Sequence, residues 1–176
     1  MDKKAFSTLI NSAKHGDAHA FGLLYSDLRT GLYRFALYTL KNPDDAEDAV
    51  QTASVTAFRK IGTLRNDASF KAWYFRILYN TCMNILTEKS RIYELPTEDL
   101  SFYEREIPEA VKEIDIPSLL SRFSQQDRSI IILSVLEDYS SKEIADILGM
   151  KPATVRSRLS RLLSRLRKQL EGDEDE

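Results

Sequence analysis

A run of basic and hydroxyl side chains near the carboxyl end carries the clearest chemical signal in the sequence. Seven Lys or Arg and no Asp or Glu occur between Lys151 and Leu170. At 100° per residue, small hydroxyls lie opposite the apolar stripe of this segment, with arginines beside them. Serines allow close approach to DNA and arginines reach guanine edges and phosphates, so the pattern favours a helix in a major groove. The residues predicted to contact duplex DNA are Lys151, Thr154, Arg156, Ser157, Arg158, Ser160, Arg161 and Arg165.

The alternative is a helical hairpin whose basic face is only solvated. Helix-turn-helix shapes also occur in proteins that never bind DNA, so the shape alone does not decide between the two. One-signed charge over about five turns disfavours the alternative, because structural surface helices usually mix charges to gain i,i+4 pairs.

Catalytic and metal-binding patterns are weak in the rest of the sequence. His15 and His19 could form a zinc pair, but Gly16-Asp17 breaks the helix that would place them on one face. We therefore predict two surface histidines. The single cysteine, Cys82, lies on an apolar stripe and is predicted to be buried and inert. With no Gly-rich phosphate loop and no Ser/His/Asp set, the sequence predicts a protein that is not an enzyme and has no cofactor or metal.

The bulk composition indicates a soluble globular protein. The chain has 176 residues, of which 43% are hydrophobic and 30% charged. Its net charge is −2, so the basic signal is local. No apolar run is long enough to span a membrane, and the first residues do not resemble a signal peptide. We expect a cytoplasmic protein with no membrane insertion of its own.

Helical periodicity and capping signals predict an all-α fold with two small helical domains. Four amphipathic helices are predicted first, with Asp17 and Asn42 as N-caps, over 2–15, 18–40, 43–61 and 70–89. Two short helices, 118–123 and 125–137, precede a helix-turn-helix in which Ser140 and Glu143 form a capping box and Gly149 makes the turn.

An acidic segment separates the two helical blocks. Residues 94–117 hold eight Asp or Glu and three of the five prolines, which predicts a linker with one helical turn near 109–114. The predicted organisation is a first domain over 1–93, the acidic linker over 94–117, a helix-turn-helix domain over 118–171 and an acidic tail over 172–176.

Three segments in register resemble the bacterial RNA polymerase sigma factors, specifically the extracytoplasmic-function (ECF) group. They are DAEDAVQ over 45–51, LRNDASFKAWYFRILYNTCMNIL over 64–86, and TVRSRLSR over 154–161. The resemblance covers nearly the whole chain, in the family's order of a promoter-melting domain, a linker and a helix-turn-helix domain. It implies a sigma factor that binds core RNA polymerase and directs promoter-specific initiation.

The resemblance also implies roles for individual residues. Asp45, Asp48 and Gln51 correspond to the surface that binds the β′ clamp, although a solvated acidic first turn is the alternative for Asp45. Arg156, Ser157 and Arg161 match the residues that read the −35 element, and Arg158 and Arg165 resemble phosphate contacts. The part that holds the melted −10 strand corresponds to Arg65, Asn66, Asp67, Ala68, Ser69, Lys71, Tyr74, Arg76 and Asn80.

The partners implied by the resemblance are core RNA polymerase, through its β′ clamp and β flap, promoter DNA, and an anti-sigma factor, which is often membrane-anchored. The sequence departs from many relatives at Thr52, where they have Glu, and at Asn84, where they have Asp. The segment over 87–91 is also less basic than in many relatives. The rival interpretation is an autonomous helix-turn-helix regulator, which would usually dimerise on paired half-sites.

Overall fold

The structure, a computed structural model, describes residues 2–92 and 116–172. The predicted helical turn near 109–114 and residues 173–176 of the predicted acidic tail lie outside the described residues. All regular structure in the described ranges is helical, which confirms the all-α fold class. The α-helices are α1 (Lys3–Lys14), α2 (Ala18–Leu40), α3 (Pro43–Lys60), α4 (Phe70–Ile92), α5 (Ile116–Ser121), α6 (Gln125–Ile131), α7 (Ser141–Leu148) and α8 (Pro152–Gly172).

The predicted caps fix the beginnings of the long helices. The Asp17 carboxylate accepts hydrogen bonds from the amides of His19 and Ala20, at 2.9 and 3.0 Å. The side-chain oxygen of Asn42 accepts from the Asp45 amide at 2.9 Å. Both caps satisfy amides that have no partner within their own helix. α2 and α3 therefore begin where the sequence predicts.

The first domain packs α1–α4 around aromatic and aliphatic side chains of α2 and α4. α3 contributes a stripe of small residues, so its backbone can come close to its two neighbours, α2 and α4. The fully buried members of that stripe are Ala46, Ala49, Ala53 and Ala57. Two 3₁₀ turns, Ile61–Thr63 and Asp67–Ser69, connect α3 to α4. The loop between these helices is therefore held at both ends by ordered turns.

The second domain ends in the predicted helix-turn-helix. The Ser140 hydroxyl accepts from the Glu143 amide at 3.3 Å, and the Glu143 carboxylate accepts from the Ser140 amide at 2.9 Å, which completes the capping box. Gly149 adopts a left-handed conformation with φ of 67° and ends α7. α7 and α8 enclose a small core with the buried Ile144, Leu148 and Val155.

Two predicted helices differ from the structure. α5 begins at Ile116, two residues before the predicted start, because Pro117 fits the first turn of a helix, where no intrahelical amide bond is needed. The helix predicted over 125–137 is α-helical only to Ile131 and continues as a π-turn over Ile132–Leu136. In this turn the Glu137 amide donates to the Ile132 carbonyl, five residues back, at 3.1 Å.

The two domains contact each other in the structure. α7 packs against α4, and α6 packs against α2. The buried side chains of both domains form one continuous apolar cluster among the described residues. No helix in the described part of the chain is long and apolar enough to cross a membrane.

Candidate nucleic-acid interface

The basic side of α8 divides into an exposed edge and two arginines that are bound within their own domain. Arg156, Ser157, Ser160 and Arg161 are exposed along one side of the helix. Arg161 donates from Nε to the Ser157 carbonyl at 3.2 Å. Within the described residues, its terminal amino groups make no hydrogen bond or ion pair. This edge has the guanidinium groups and small hydroxyls that direct reading of a major groove requires.

Arg158 and Arg165, which the sequence predicts as phosphate contacts, bind other parts of the domain. The Arg158 guanidinium donates to the Gln126 side chain and lies 3.6 Å from an Asp127 carboxylate oxygen, both on α6. The Arg165 guanidinium stacks 4.9 Å from the centre of the Phe123 ring. These contacts join α8 to α6 and to the turn that precedes it, so both arginines also fix the direction of the helix.

The remaining predicted duplex contacts lie at the beginning of α8. Lys151 is exposed and its carbonyl accepts from the Val155 amide at 3.1 Å. Thr154 is half-buried, and its carbonyl accepts from the Ser157 hydroxyl at 3.1 Å. The first turn therefore presents Lys151 to solvent beside the exposed edge.

The loop predicted to hold melted DNA is organised by its own side chains and by α1. The Asn66 side chain accepts from the Ala68 amide at 3.1 Å, and the Ser69 amide donates to the Asn66 carbonyl at 3.0 Å. Asp67 accepts from Lys14 Nζ at 2.9 Å and from the Ser7 hydroxyl at 2.7 Å. The hydrogen bond from Lys14, with that from Ser7, holds the pKa of Asp67 below its usual value.

Those contacts leave most of the loop open to solvent. Arg65, Asn66, Ala68 and Ser69 are exposed, whereas Asp67 is half-buried because it is bound to α1. The loop therefore has an exposed guanidinium and free polar edges, which suit contact with an unstacked base and its backbone.

Three of the four predicted positions on α4 are exposed, whereas the fourth, Tyr74, is buried. Lys71, Arg76 and Asn80 are open to solvent, and Lys71 forms an ion pair with Asp27 at 3.2 Å. The Tyr74 side chain is 0% exposed, and its hydroxyl donates to Ser54 Oγ at 2.7 Å.

Burial raises the pKa of Tyr74, and its ring packs against Phe21 and Phe70. The ring faces the domain core because α4 is covered on two sides. The predicted placement of Tyr74 on a −10-binding face with Lys71, Arg76 and Asn80 is contradicted by this burial.

The residues predicted to bind polymerase lie along α3. Asp48 and Gln51 are exposed, whereas Asp45 is half-buried and forms an ion pair with Lys89 of α4. Val55, one turn beyond Gln51 on the same ridge, keeps 49% of its surface exposed. We define Asp48, Gln51 and Val55 as the α3 ridge. The polymerase contacts predicted from the sequence do not include Val55, although its i,i+4 relation to Gln51 places it on the same face of α3.

The two histidines and the cysteine lie where the sequence predicts them. His15 and His19 are exposed, and the His15 ring bonds to the Asn11 carbonyl at 2.8 Å. Cys82 is fully buried, and burial raises its pKa to about 12, so its thiol is unreactive at neutral pH. Groups of three or more His, Cys, Asp or Glu arranged to hold a metal do not occur within residues 2–92 and 116–172.

Comparison with known proteins matches both domains to one family. Residues 24–92 match the model of Sigma-70 region 2, and residues 114–166 match that of Sigma-70, region 4. The chain is 33% identical to the RNA polymerase sigma factor SigV of Bacillus subtilis (strain 168) over 145 residues, covering 82% of this chain and 87% of SigV. It is 30% identical to the ECF RNA polymerase sigma factor SigM of Mycobacterium tuberculosis over 151 residues, covering 86% of this chain and 77% of SigM.

A solved structure has the same fold. The sigma factor RpoE in a co-crystal with the anti-sigma factor NepR from Bartonella quintana matches with a TM-score of 0.70 and 25% identity, over 84% of this chain and 96% of RpoE. The chain belongs to the Sigma-70 family of RNA polymerase sigma factors, in the ECF group.

Proposed function

We propose that this sigma factor binds core RNA polymerase and directs promoter-specific initiation by holding promoter DNA at two places. The observation that carries the proposal is the exposed edge of α8, whose guanidinium and hydroxyl groups stand on a capped helix-turn-helix. The membership of both domains in one sigma family supports it further. An autonomous regulator would not need the first domain, which matches region 2.

The two domains divide the work. The edge with Arg156, Ser157 and Arg161 reads the −35 duplex, with Lys151, Thr154 and Ser160 beside it. Arg158 and Arg165 fix α8 against α6 and Phe123, and they contact DNA phosphates beside the exposed edge. In the first domain, the loop over 65–69 and the α4 residues Lys71, Arg76 and Asn80 capture bases of the −10 strand after they leave the stack. Capture of an unpaired base stabilises the open state, so the chain itself catalyses no bond change.

The α3 ridge is the proposed contact with the polymerase β′ clamp, and the second domain is the proposed contact with the β flap. Exposed Asp48 and Gln51 offer charge and hydrogen bonds, and Val55 offers apolar area. We expect Asp45 to contribute less to the contact with the β′ clamp, because its ion pair with Lys89 already neutralises its charge. The chain would act in the cytoplasm, where core polymerase is found. The RpoE relative is crystallised with an anti-sigma factor, which supports an inhibitor of that kind as a further partner.

Run-off transcription with purified core polymerase and a promoter library tests the proposal. The −35 and −10 positions are randomised separately, and the transcribed templates are sequenced. We expect enrichment at both elements and none without this chain. Binding to duplex DNA without promoter-specific initiation would instead identify an autonomous regulator. A chain with all three α3 ridge residues changed to alanine is the control, because it keeps both DNA-binding faces.

A further inference from the structure

Two side chains of α1 bind the middle of the loop over 65–69. The Ser7 hydroxyl donates to Asp67 Oδ2 at 2.7 Å, and Lys14 Nζ donates to Asp67 Oδ1 at 2.9 Å. Both oxygens of the Asp67 carboxylate therefore accept a hydrogen bond from the same helix. We call Ser7, Lys14 and Asp67 the α1 anchor.

The loop lies between two core residues. Leu64 before it and Phe70 after it are both buried. Asn66 closes the Asp67–Ser69 turn from inside the loop, through its side chain and its carbonyl. These bonds keep the shape of the turn but do not join it to the rest of the domain. The orientation of the turn on the domain therefore depends on Asp67, which is half-buried and bound to α1.

α1 is a firm support for the anchor, because it is packed into the first domain. Ile10 and Ala13 are buried, and α1 packs against both α2 and the Ile61–Thr63 turn. The Phe6 ring meets the Phe70 ring edge to face, with 5.8 Å between ring centres. α1 thus contacts the chain before the loop and after it.

The spacing of the two donors brings them to one acceptor. Ser7 and Lys14 are about two turns apart, so they lie on the same side of α1. Long side chains of a helix point toward its amino end, so Lys14 extends back toward Ser7. The side chain of Lys14 is 24% exposed and that of Asp67 is 33% exposed. Water therefore screens this ion pair less than it screens a pair that is open to solvent.

Neutralisation by Lys14 allows an acidic side chain in a loop that contacts DNA. An ionised carboxylate donates no hydrogen bond, and it repels phosphates. The hydrogen bond from Lys14, more than any other contact, holds the pKa of Asp67 below its usual value, so the carboxylate is ionised at neutral pH. Its charge is compensated within the protein, while exposed Arg65, Asn66 and Ser69 remain open to DNA.

We propose that Ser7 and Lys14 are positioning residues for recognition of the −10 strand, and that they act through Asp67 by fixing the loop over 65–69 on the domain. Asp67 is then an anchor, whereas its neighbours Arg65 and Asn66 meet the DNA. The effect on −10 selection rests on the proposed function, but the anchoring of the loop does not.

Selection of −10 sequences by the full chain tests the proposal. Core polymerase transcribes templates with one −35 element and randomised −10 positions, and the transcribed templates are sequenced. Lys14→Met removes the ammonium group and keeps an apolar stem, Lys14→Arg keeps the charge, and Lys4→Met removes a charge at an exposed position of α1. We expect Lys14→Met to lower the preference for the best −10 sequence about twofold to fivefold, as for loss of a partly exposed ion pair. Lys14→Arg and Lys4→Met should keep the wild-type preference.

The ranking of −10 sequences separates positioning from stability alone. All templates compete for one protein sample, so a chain that is only less stable gives fewer transcripts with the same ranking. An unchanged ranking in Lys14→Met, or an equal change in Lys4→Met, would overturn the proposal. Should Lys14→Met fail to fold by circular dichroism, Ser7→Ala replaces it, with the same expected direction and the same control.

A double variant tests whether Lys14 acts through Asp67. Once Asp67→Ala has removed the acceptor, adding Lys14→Met should change the −10 ranking no further. A further change would show that Lys14 acts on DNA by another route, such as a phosphate contact, and its positioning role would be refuted.

Hydrogen exchange reports the anchor without polymerase or DNA. The Ala68 and Ser69 amides donate to Asn66 in the native loop. By NMR, we expect both amides to exchange about twofold to fivefold faster in Lys14→Met and at the wild-type rate in Lys4→Met. Equal rates in wild type and Lys14→Met would disprove the anchor itself. A wild-type chain that initiates without any −10 preference would instead contradict the proposed function, while the exchange rates would still decide whether α1 anchors the loop.

Discussion

Replacing Arg161 by alanine should weaken selection of the −35 sequence without weakening the fold. The side chain is exposed, and its one bond in the described residues is the 3.2 Å contact with the carbonyl of Ser157 in the preceding turn. Truncation of such a group changes stability by less than about 0.5 kcal/mol. A bidentate contact with guanine contributes about 1–3 kcal/mol of discrimination, which corresponds to a factor of about 5–150 in promoter preference.

The assay is competitive run-off transcription on templates with one −10 element and randomised −35 positions, repeated at several salt concentrations. Lys168→Ala is the matched comparison, because Lys168 is exposed on the same side of α8, two turns further on. If Lys168 binds only phosphate, replacing it should leave the ranking of −35 sequences unchanged. The replacement should also reduce the slope of log affinity against log salt by about 0.9.

The outcome separates the two roles of a guanidinium. We expect Arg161→Ala to flatten the ranking at one base position, with thermal unfolding unchanged. An equal loss on every −35 sequence, with a smaller salt slope, would make Arg161 a phosphate contact. Unchanged ranking and unchanged slope would show that the exposed edge of α8 does not face DNA. Arg158→Ala should differ from Arg161→Ala and Lys168→Ala, because it removes contacts with α6 and should therefore lower the thermal stability.

Three further predictions test other parts of the molecule. Tyr74→Phe should lower the unfolding temperature by about 2–4 °C in a thermal scan, because about 1 kcal/mol is lost with the hydrogen bond to Ser54, and no shift would contradict its core role. Asp67→Asn should remove stability that is present above the usual carboxyl pKa of 3.8 and is lost as pH falls through the lowered folded value; urea titrations of both chains that differ equally at every pH would disprove the role of the Lys14 contact. Val55→Asp should reduce affinity for core polymerase about fivefold in a binding titration at unchanged thermal stability, since its exposed surface contributes little to the core; unaltered affinity would remove Val55 from the interface.

Local signals predicted the helices well because each has a cause within a few residues. Asn42 caps α3, Ser140 and Glu143 complete the capping box, and Gly149 takes the left-handed conformation that ends α7. The π-turn after Ile131 could not be read in the same way. Apart from Ser134, apolar residues continue through it, so periodicity predicts an uninterrupted α-helix there.

Burial on α4 shows why the candidate site was predicted only in part. A one-sided stripe predicts one buried face, but α4 packs against α2 and α3 and also against α7. Phe75 and Tyr74 are therefore both buried, although they are adjacent in the chain. The contact between Arg34 and Glu137 is equally invisible to periodicity, since 103 residues separate them and the pairing depends on how the domains meet.

Two hydrogen bonds from α1 to Asp67 connect the amino end of the chain to the loop over 65–69, which is the proposed −10 contact. Ser7 and Lys14 both precede residue 24, where the region 2 match begins. A truncated protein that starts at that match would lose α1 and the first residues of α2, and with α1 both hydrogen bonds to Asp67. If the loop over 65–69 binds the −10 strand as proposed, tags or deletions at this end will change −10 selectivity, so a comparison between homologues should use chains that retain α1.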